Sequence, residues 1–90
     1  MADSPSKEPF PPINFETFVL SLGTATLVAL GEIDNPMTKQ KEKDKVSARQ
    51  HIDILEMLLL KTKGNLEARE SKLLEDMLYE LRMKFLNISQ

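Results

Sequence analysis

The sequence predicts an all-α fold of three helices, in which the second and third form an antiparallel hairpin packed with an apolar first helix. Two segments repeat apolar residues at intervals of three and four, which is typical of amphipathic helices. A third segment, residues 17–31, has fifteen consecutive uncharged residues in a chain of which 29% is charged. No segment alternates polar and apolar residues as a half-buried strand does. Because so small a chain has little surface to cover the third segment, we expect self-association to complete the fold.

The composition limits the chemistry available to the chain. Its 90 residues suit one domain. The absence of cysteine excludes disulfides, thiolate nucleophiles and zinc sites built on cysteine. A formal net charge of −2 argues against nucleic-acid binding, which needs a net basic surface. The N-terminal stretch MADSPSKEPFPP has no basic region leading into an apolar run, so we expect no signal peptide and a cytoplasmic location.

The domain organisation follows from local composition. Residues 1–12 are rich in proline, serine and charge and have no apolar period, so we expect a disordered N-terminal tail. Residues 13–88 then form a single all-helical domain. Within that domain we expect a polar loop at residues 34–45, because residues 39–45 alternate in charge and include no apolar side chain.

The first helix is predicted over residues 14–31. Asn14 is a good N-cap, and Glu16 in the first turn suits the positive end of the helix dipole. One side should be bulky, with Phe15, Val19, Leu22 and Leu30, and the opposite side small, with Ser21, Thr24, Ala25 and Ala29. A helix that is apolar all round is buried on all sides. Its hydroxyls should bond back to carbonyls of their own helix or to a neighbouring helix: Ser21, Thr24 and Thr26.

The second helix is predicted over residues 46–63 and the third over residues 67–86. Each has a buried stripe, formed by Ala48, Ile52, Leu55 and Leu59 in the second helix and by Leu74, Leu78, Leu81 and Phe85 in the third. Gly64 should end the second helix in a left-handed conformation. The short connection at residues 64–66 predicts the hairpin. Four apolar residues of the second helix fall off its stripe: Val46, Ile54, Met57 and Leu60.

No residue pattern indicates catalysis or metal binding. Two ligands on one helix face the same way at a spacing of three or four residues. Asp53 and Glu56 stand two and five residues from His51, so His51 is expected to be a packed, hydrogen-bonded side chain. The adjacent carboxylates of Glu75 and Asp76 point about 100° apart on a helix and cannot share a substrate. We therefore expect no enzyme activity, catalytic residue, cofactor or metal site.

A membrane-spanning role for residues 17–31 fails on length. Fifteen residues make a helix of about 22 Å, whereas a bilayer core of about 30 Å needs about 20 apolar residues. Ser21, Ala25 and Ala29 have the four-residue spacing that lets membrane helices approach closely. The same geometry works in a soluble helix pair, which the length favours, so membrane contact is not expected.

The order of four sequence blocks resembles a family of small bacterial proteins classed as a domain of unknown function, the domain of unknown function 1844 family. The blocks are FETFVLSLGTATLVALGEI, IDILEML, KTKGNL and LLEDMLYELRM, between residues 15 and 86. The resemblance implies a bacterial source and a helical fold, and it implies no activity. The chain departs from the family pattern at Leu59 and Leu60, where more polar residues are expected, and in its lysine-rich linker.

The sequence thus predicts a non-enzymatic, self-associating protein that acts as an interaction or scaffold module. Its partner would be a second copy, in a homodimer or a tetramer, or another protein. The predicted oligomer interface combines the first helix with off-stripe residues of the second: Phe18, Ser21, Leu22, Ala25, Val28, Ala29, Ile54 and Met57. The alternative is a module that binds an apolar ligand or a membrane surface through residues 13–31.

Overall fold

The computed structural model describes residues 12–88 as three α-helices: α1 (Phe15–Ala29), α2 (Lys45–Lys61) and α3 (Ala68–Ile88). Within that range no residue belongs to a strand, which confirms the all-α prediction. Each helix end lies within two residues of its predicted position. The predicted disordered tail lies, except for its last residue, outside the described residues.

Side-chain caps set the N-termini of α1 and α2. The Asn14 side-chain oxygen accepts a hydrogen bond from the Thr17 N–H at 2.8 Å, as predicted for an N-cap. Asp44 caps α2 in the same way, accepting from the Ser47 N–H at 3.1 Å and from the Ser47 hydroxyl at 2.9 Å. The hydrogen bond from the Ser47 N–H, followed by that from its hydroxyl, holds the pKa of Asp44 below its ordinary value.

Glycines in the left-handed region follow the C-termini of α1 and α2. Gly31 has φ of +80°, and the Glu32 N–H donates to the Leu27 carbonyl at 2.9 Å in a Schellman arrangement. Because Gly31 forms that turn, α1 ends two residues before its predicted end. Gly64 has φ of +87°, which confirms the predicted left-handed conformation after α2. Both positions favour glycine because an L side chain is strained there.

The connection between α1 and α2 is tied at both ends. The Asp44 N–H donates to the Ala29 carbonyl at 2.7 Å, so α2 begins beside the last turn of α1. Between them, the Asn35 N–H donates to the Gln40 carbonyl at 2.8 Å and the Lys39 N–H donates to the Asn35 carbonyl at 2.6 Å. This segment is therefore a hydrogen-bonded turn with an exposed surface.

The hydrophobic core lies where the three helices meet, and each helix packs against both others. The predicted stripes of α2 and α3 are confirmed, because six of their residues are buried and Leu59 and Phe85 pack partly buried against them. Helix α1 contributes four residues to the interior, including a fully buried threonine whose hydroxyl donates to the Leu22 carbonyl at 2.7 Å. These residues are Val19, Gly23, Thr26 and Ala29, with Leu30 following them.

Ion pairs between distant residues show how the helices lie relative to one another. Glu16 at the start of α1 pairs with Arg69 at the start of α3, with an N–O distance of 3.0 Å. Glu32, just after α1, pairs with Lys84 late in α3 at 3.4 Å. The two pairs join α1 and α3 at corresponding ends, so these helices run side by side in one direction. Since all four side chains are partly exposed, the pairs contribute little stability and mainly report the register.

Candidate functional site

Helix α1 presents an uncharged face to the outside of the folded chain. Successive residues of a helix turn by about 100°, which places four residues opposite the buried Val19. Two larger apolar side chains flank them, Phe18 at 41% exposure and Leu20 at 49%. None of these side chains carries a charge. We call the four opposite residues the outer face of α1: Thr17, Ser21, Thr24 and Val28.

The outward side of α3 has a different chemistry. Lys72 pairs there with Asp76 at 3.0 Å, and Glu80 lies one turn further along. Tyr79 and Met83 are exposed between these charges. Charged residues on the side opposite the core are the usual solvated face of an amphipathic helix. The outer face of α1 has no such charged residues, so it differs from the usual solvated face of a helix.

Helix α2 also exposes apolar side chains. The four off-stripe residues of the sequence prediction, Val46, Ile54, Met57 and Leu60, are all exposed. Ile54 lies about 160° around α2 from Glu56, whose carboxylate pairs with Arg82 of α3. Ile54 is therefore on the side of α2 away from α3.

The structure distributes the predicted interface residues over three environments. Phe18, Ser21, Ile54 and Met57 are exposed, and Leu22, Ala25 and Val28 are half-buried. Ala29 lies in the core at 8% exposure and offers little surface. The Ser21 hydroxyl donates to the Phe18 carbonyl at 2.7 Å, as predicted for the helix hydroxyls. The residues that retain surface are what we call the α1–α2 patch: Phe18, Ser21, Leu22, Ala25, Val28, Ile54 and Met57.

A groove of about 610 Å³ lies on the other side of α1, between α1 and α3. Most of its lining is apolar, and its two charged residues are both acidic, Asp76 and Glu80. Leu20 lies about 160° around α1 from Phe18, so the groove and the α1–α2 patch use opposite sides of one helix. The apolar lining, which defines the α1–α3 groove, is Leu20, Gly23, Leu27, Leu73, Met77 and Leu81.

The floor of the α1–α3 groove depends on a contact that the sequence prediction missed. A Cβ atom at Gly23 would lie 2.5 Å from the Met77 sulfur, so the thioether rests on the bare backbone of α1. Methionine is flexible and fits irregular surfaces. The only signal in the sequence is a glycine within a helical apolar stretch, which is tolerated there at a cost and can have a packing reason.

His51 has the packed, hydrogen-bonded position that the sequence predicts. Its Nδ1 lies 2.7 Å from the Ser47 carbonyl oxygen, which can only accept, so Nδ1 is the donor in this hydrogen bond. Across residues 12–88, no three side chains of His, Cys, Asp or Glu gather as a metal ligand set.

The family model described as Domain of unknown function (DUF1844) matches residues 12–87. The chain belongs to this family. The match spans α1, α2 and all but the last residue of α3, so it confirms the resemblance carried by the four sequence blocks. No curated protein and no solved structure matches the chain.

Helices α1, α2 and α3 of this DUF1844 protein each lack the length or the apolar character of a membrane-spanning helix. A membrane-spanning helix needs about 20 predominantly apolar residues. In residues 12–88, no helix combines the length and the apolar character needed to cross a membrane. Helix α1 is the most apolar of the three and has 15 residues.

Proposed function

We propose that this DUF1844 chain is a non-enzymatic interaction module of the bacterial cytoplasm that self-associates through the α1–α2 patch. The observation that carries the proposal is the uncharged α1–α2 patch, in which the apolar side chains of Phe18, Ile54 and Met57 are exposed outside the core. Each Å² of apolar surface removed from water contributes about 25 cal/mol. Exposed apolar patches are typical of protein–protein contact sites.

The chemistry of the patch supports a contact between like surfaces. Interface centres are depleted of charged residues and enriched in aromatic residues and methionine. The α1–α2 patch has no charged member and includes Phe18 and Met57. When two copies meet through an uncharged surface, no like charges are brought together. We therefore propose a homodimer, or a tetramer built from such dimers.

The arrangement of α2 and α3 that we propose is the antiparallel hairpin. Two observations support it. Arg82, late in α3, pairs with Glu56 of α2. A cavity of about 260 Å³ is lined by Arg49 and Ile52, early in α2, together with Leu86, near the end of α3. In this hairpin Ile54 lies on the side of α2 away from α3.

Size-exclusion chromatography with light scattering tests the self-association. Wild type at micromolar concentration should have the mass of a dimer or tetramer. Phe18→Glu should reduce it to that of a monomer, because an unpaired charge in an apolar interface is strongly disfavoured. Met83→Glu is the matched control, since Met83 on α3 is 47% exposed and Phe18 is 41% exposed. Ala25→Glu, on the same patch, should act as Phe18→Glu does.

Circular dichroism should show that each variant keeps the helical spectrum of wild type, so that a change in mass cannot come from unfolding. A monomeric wild type at micromolar concentration would contradict the proposal. An unchanged mass for both folded patch variants would also contradict it. Loss of the oligomer in the Met83→Glu control would place the interface on α3 instead.

A second candidate function, favoured by the α1–α3 groove, is the binding of an apolar ligand. The groove volume lies within the range of about 300–1,000 Å³ that is common for small-molecule sites. Nile red, a neutral apolar fluorophore, should gain fluorescence with wild type and lose that gain with Leu20→Gln. Leu86→Gln is the control, because Leu86 is 54% exposed and lies outside this groove. Equal fluorescence with both variants would exclude the groove as the site.

A further inference from the structure

We propose that the α1–α3 groove binds an amphipathic helix of another protein, one whose apolar stripe is flanked by lysine or arginine. The inference rests on the second candidate function, because it needs the groove to be a binding site. It goes further by naming the class of occupant. Helix-in-groove recognition places apolar side chains at helical spacing into an apolar groove between other helices.

The shape of the groove suits such an occupant. Two parallel helices form its sides, and the Met77 thioether lies across the Gly23 backbone at its floor. The glycine leaves room where α1 would otherwise project a side chain. A flexible methionine can adjust to the side chains that enter, as in the methionine-rich grooves of promiscuous helix-binding proteins.

The acidic residues of the groove lining favour a bound helix with basic residues beside its apolar stripe. Asp76 and Glu80 are exposed at its edge, and no lysine or arginine lines it. Asp76 already pairs with Lys72 on the adjacent turn, so Glu80 is the stronger anchor for an incoming cation. A basic flank would face opposite charge there, whereas an acidic flank would face like charge. Complementarity of this kind gives specificity and speeds association.

The same charges argue against a second copy of this chain in the groove. A two-fold contact brings the same surface of both copies together. Glu80 of one copy would then approach the acidic rim of the other, which disfavours the contact. The α1–α2 patch has no such conflict, so one helix can serve a self-contact on one side and a different partner on the other.

The experiment uses two peptides of about 18 residues with leucines at intervals of three and four. One carries lysines beside the leucine stripe, and the other carries glutamates at the same positions. Fluorescence anisotropy with the full chain should show the lysine peptide binding several-fold more tightly, because the acidic edge attracts lysines and repels glutamates. Its affinity should fall as salt is raised, because exposed charges are screened.

Two pairs of variants locate the binding. Glu80→Gln should weaken the lysine peptide about two- to fivefold, whereas Glu75→Gln, the same change on another side of α3, should leave its affinity unchanged. Leu20→Gln should weaken it further by removing apolar contact, and Leu86→Gln should not. A peptide affinity that all four variants leave unchanged would overturn the proposal.

Other occupants give distinct results that would each overturn it. If Leu20→Gln dissociates a wild-type oligomer in light scattering and Phe18→Glu does not, a second copy fills the groove. If Nile red binds in the groove while the two peptides bind equally, the apolar-ligand function stands and the basic helix is excluded. Binding of the lysine peptide alone, lost with Leu20→Gln, would support the proposal.

Discussion

Replacing Leu78 by alanine should unfold the protein or bring it close to unfolding. Leu78 is 1% exposed and belongs to the core formed where α2 and α3 meet α1. Its neighbour Tyr79 points the other way and is 66% exposed. The two residues are adjacent in sequence, so Tyr79→Ala is a control for a truncation at the same point along α3.

The magnitude follows from burial. Leu→Ala removes three carbon atoms, and each buried methylene contributes about 0.8 kcal/mol, so the transfer term alone is about 2.4 kcal/mol. The cavity left behind raises typical losses to about 2–5 kcal/mol. A domain of this length has a total stability of only about 5–10 kcal/mol. Leu78→Ala therefore removes between about a fifth of the stability and all of it. Tyr79→Ala should cost about 1 kcal/mol or less, since most of its side chain is already in water.

Urea unfolding followed by circular dichroism measures both variants. The melts should be run at two protein concentrations, because self-association makes apparent stability depend on concentration. The midpoint for Leu78→Ala should lie far below that of wild type, with the Tyr79→Ala midpoint close to wild type. If Leu78→Ala is as stable as wild type, or Tyr79→Ala is the less stable of the two, the register assigned to α3 is wrong.

Three further predictions concern the ends of the helices and of the chain. Gly64→Val should lower the urea midpoint by more than Gly64→Ala, because the φ of +87° at this position strains a β-branched residue most. No neighbouring atom lies within 4 Å of a Cβ there, so the loss should come from the backbone conformation and not from a steric clash. Asp44 should make the protein less stable in acid, because its pKa in the folded state lies below its pKa in the unfolded state. The stabilisation from its cap is complete above the unfolded-state pKa and is lost as the pH falls through the folded-state pKa. Thermal melts from pH 5 to pH 2 should show a smaller decrease for Asp44→Asn, which caps without titrating. Deleting residues 2–11 should leave the melting temperature within a few degrees if that segment adds nothing to the core, and a large drop would show that it packs.

The inward sides of α2 and α3 were predictable because polar and charged residues mark their outward sides. Ala48, Ile52 and Leu55 recur at helical spacing between such residues, and all three are buried. The turn after α2 was equally readable, since Gly64 sits where a left-handed residue ends a helix. Local patterns of this kind need no knowledge of the rest of the fold.

The inward side of α1 could not be read with the same certainty, because no charged residue marks its outside. Bulk alone predicted a side with Phe15, Val19 and Leu22, yet the fold turns Gly23 and Thr26 inward and leaves Phe15 and Leu22 half-buried. Thr26 can be buried because its hydroxyl is satisfied by the Leu22 carbonyl. Gly23 faces inward because Met77 packs on its backbone.

The contacts that join distant segments were also beyond the sequence. The pair between Glu16 and Arg69 links residues 53 positions apart, and that between Glu32 and Lys84 links residues 52 apart. No periodicity in the chain connects such positions. As a result the sequence predicted a hydrophobic first helix that needs covering, but not the groove that forms once α3 lies beside it.

The two sides of α1 differ in what stands next to them, and this difference separates the two proposed contacts. Beside Phe18 lie the uncharged residues of the α1–α2 patch, so a second copy can approach this part of α1 without bringing like charges together. Beside Leu20 lies the acidic edge of α3, with Glu80 in the groove lining, which disfavours a second copy and favours a basic partner. Apolar surface on α1 supplies the free energy of both contacts in the same way. The choice of partner on each side therefore comes from the neighbouring helix, and one apolar helix can serve two interactions without confusing them.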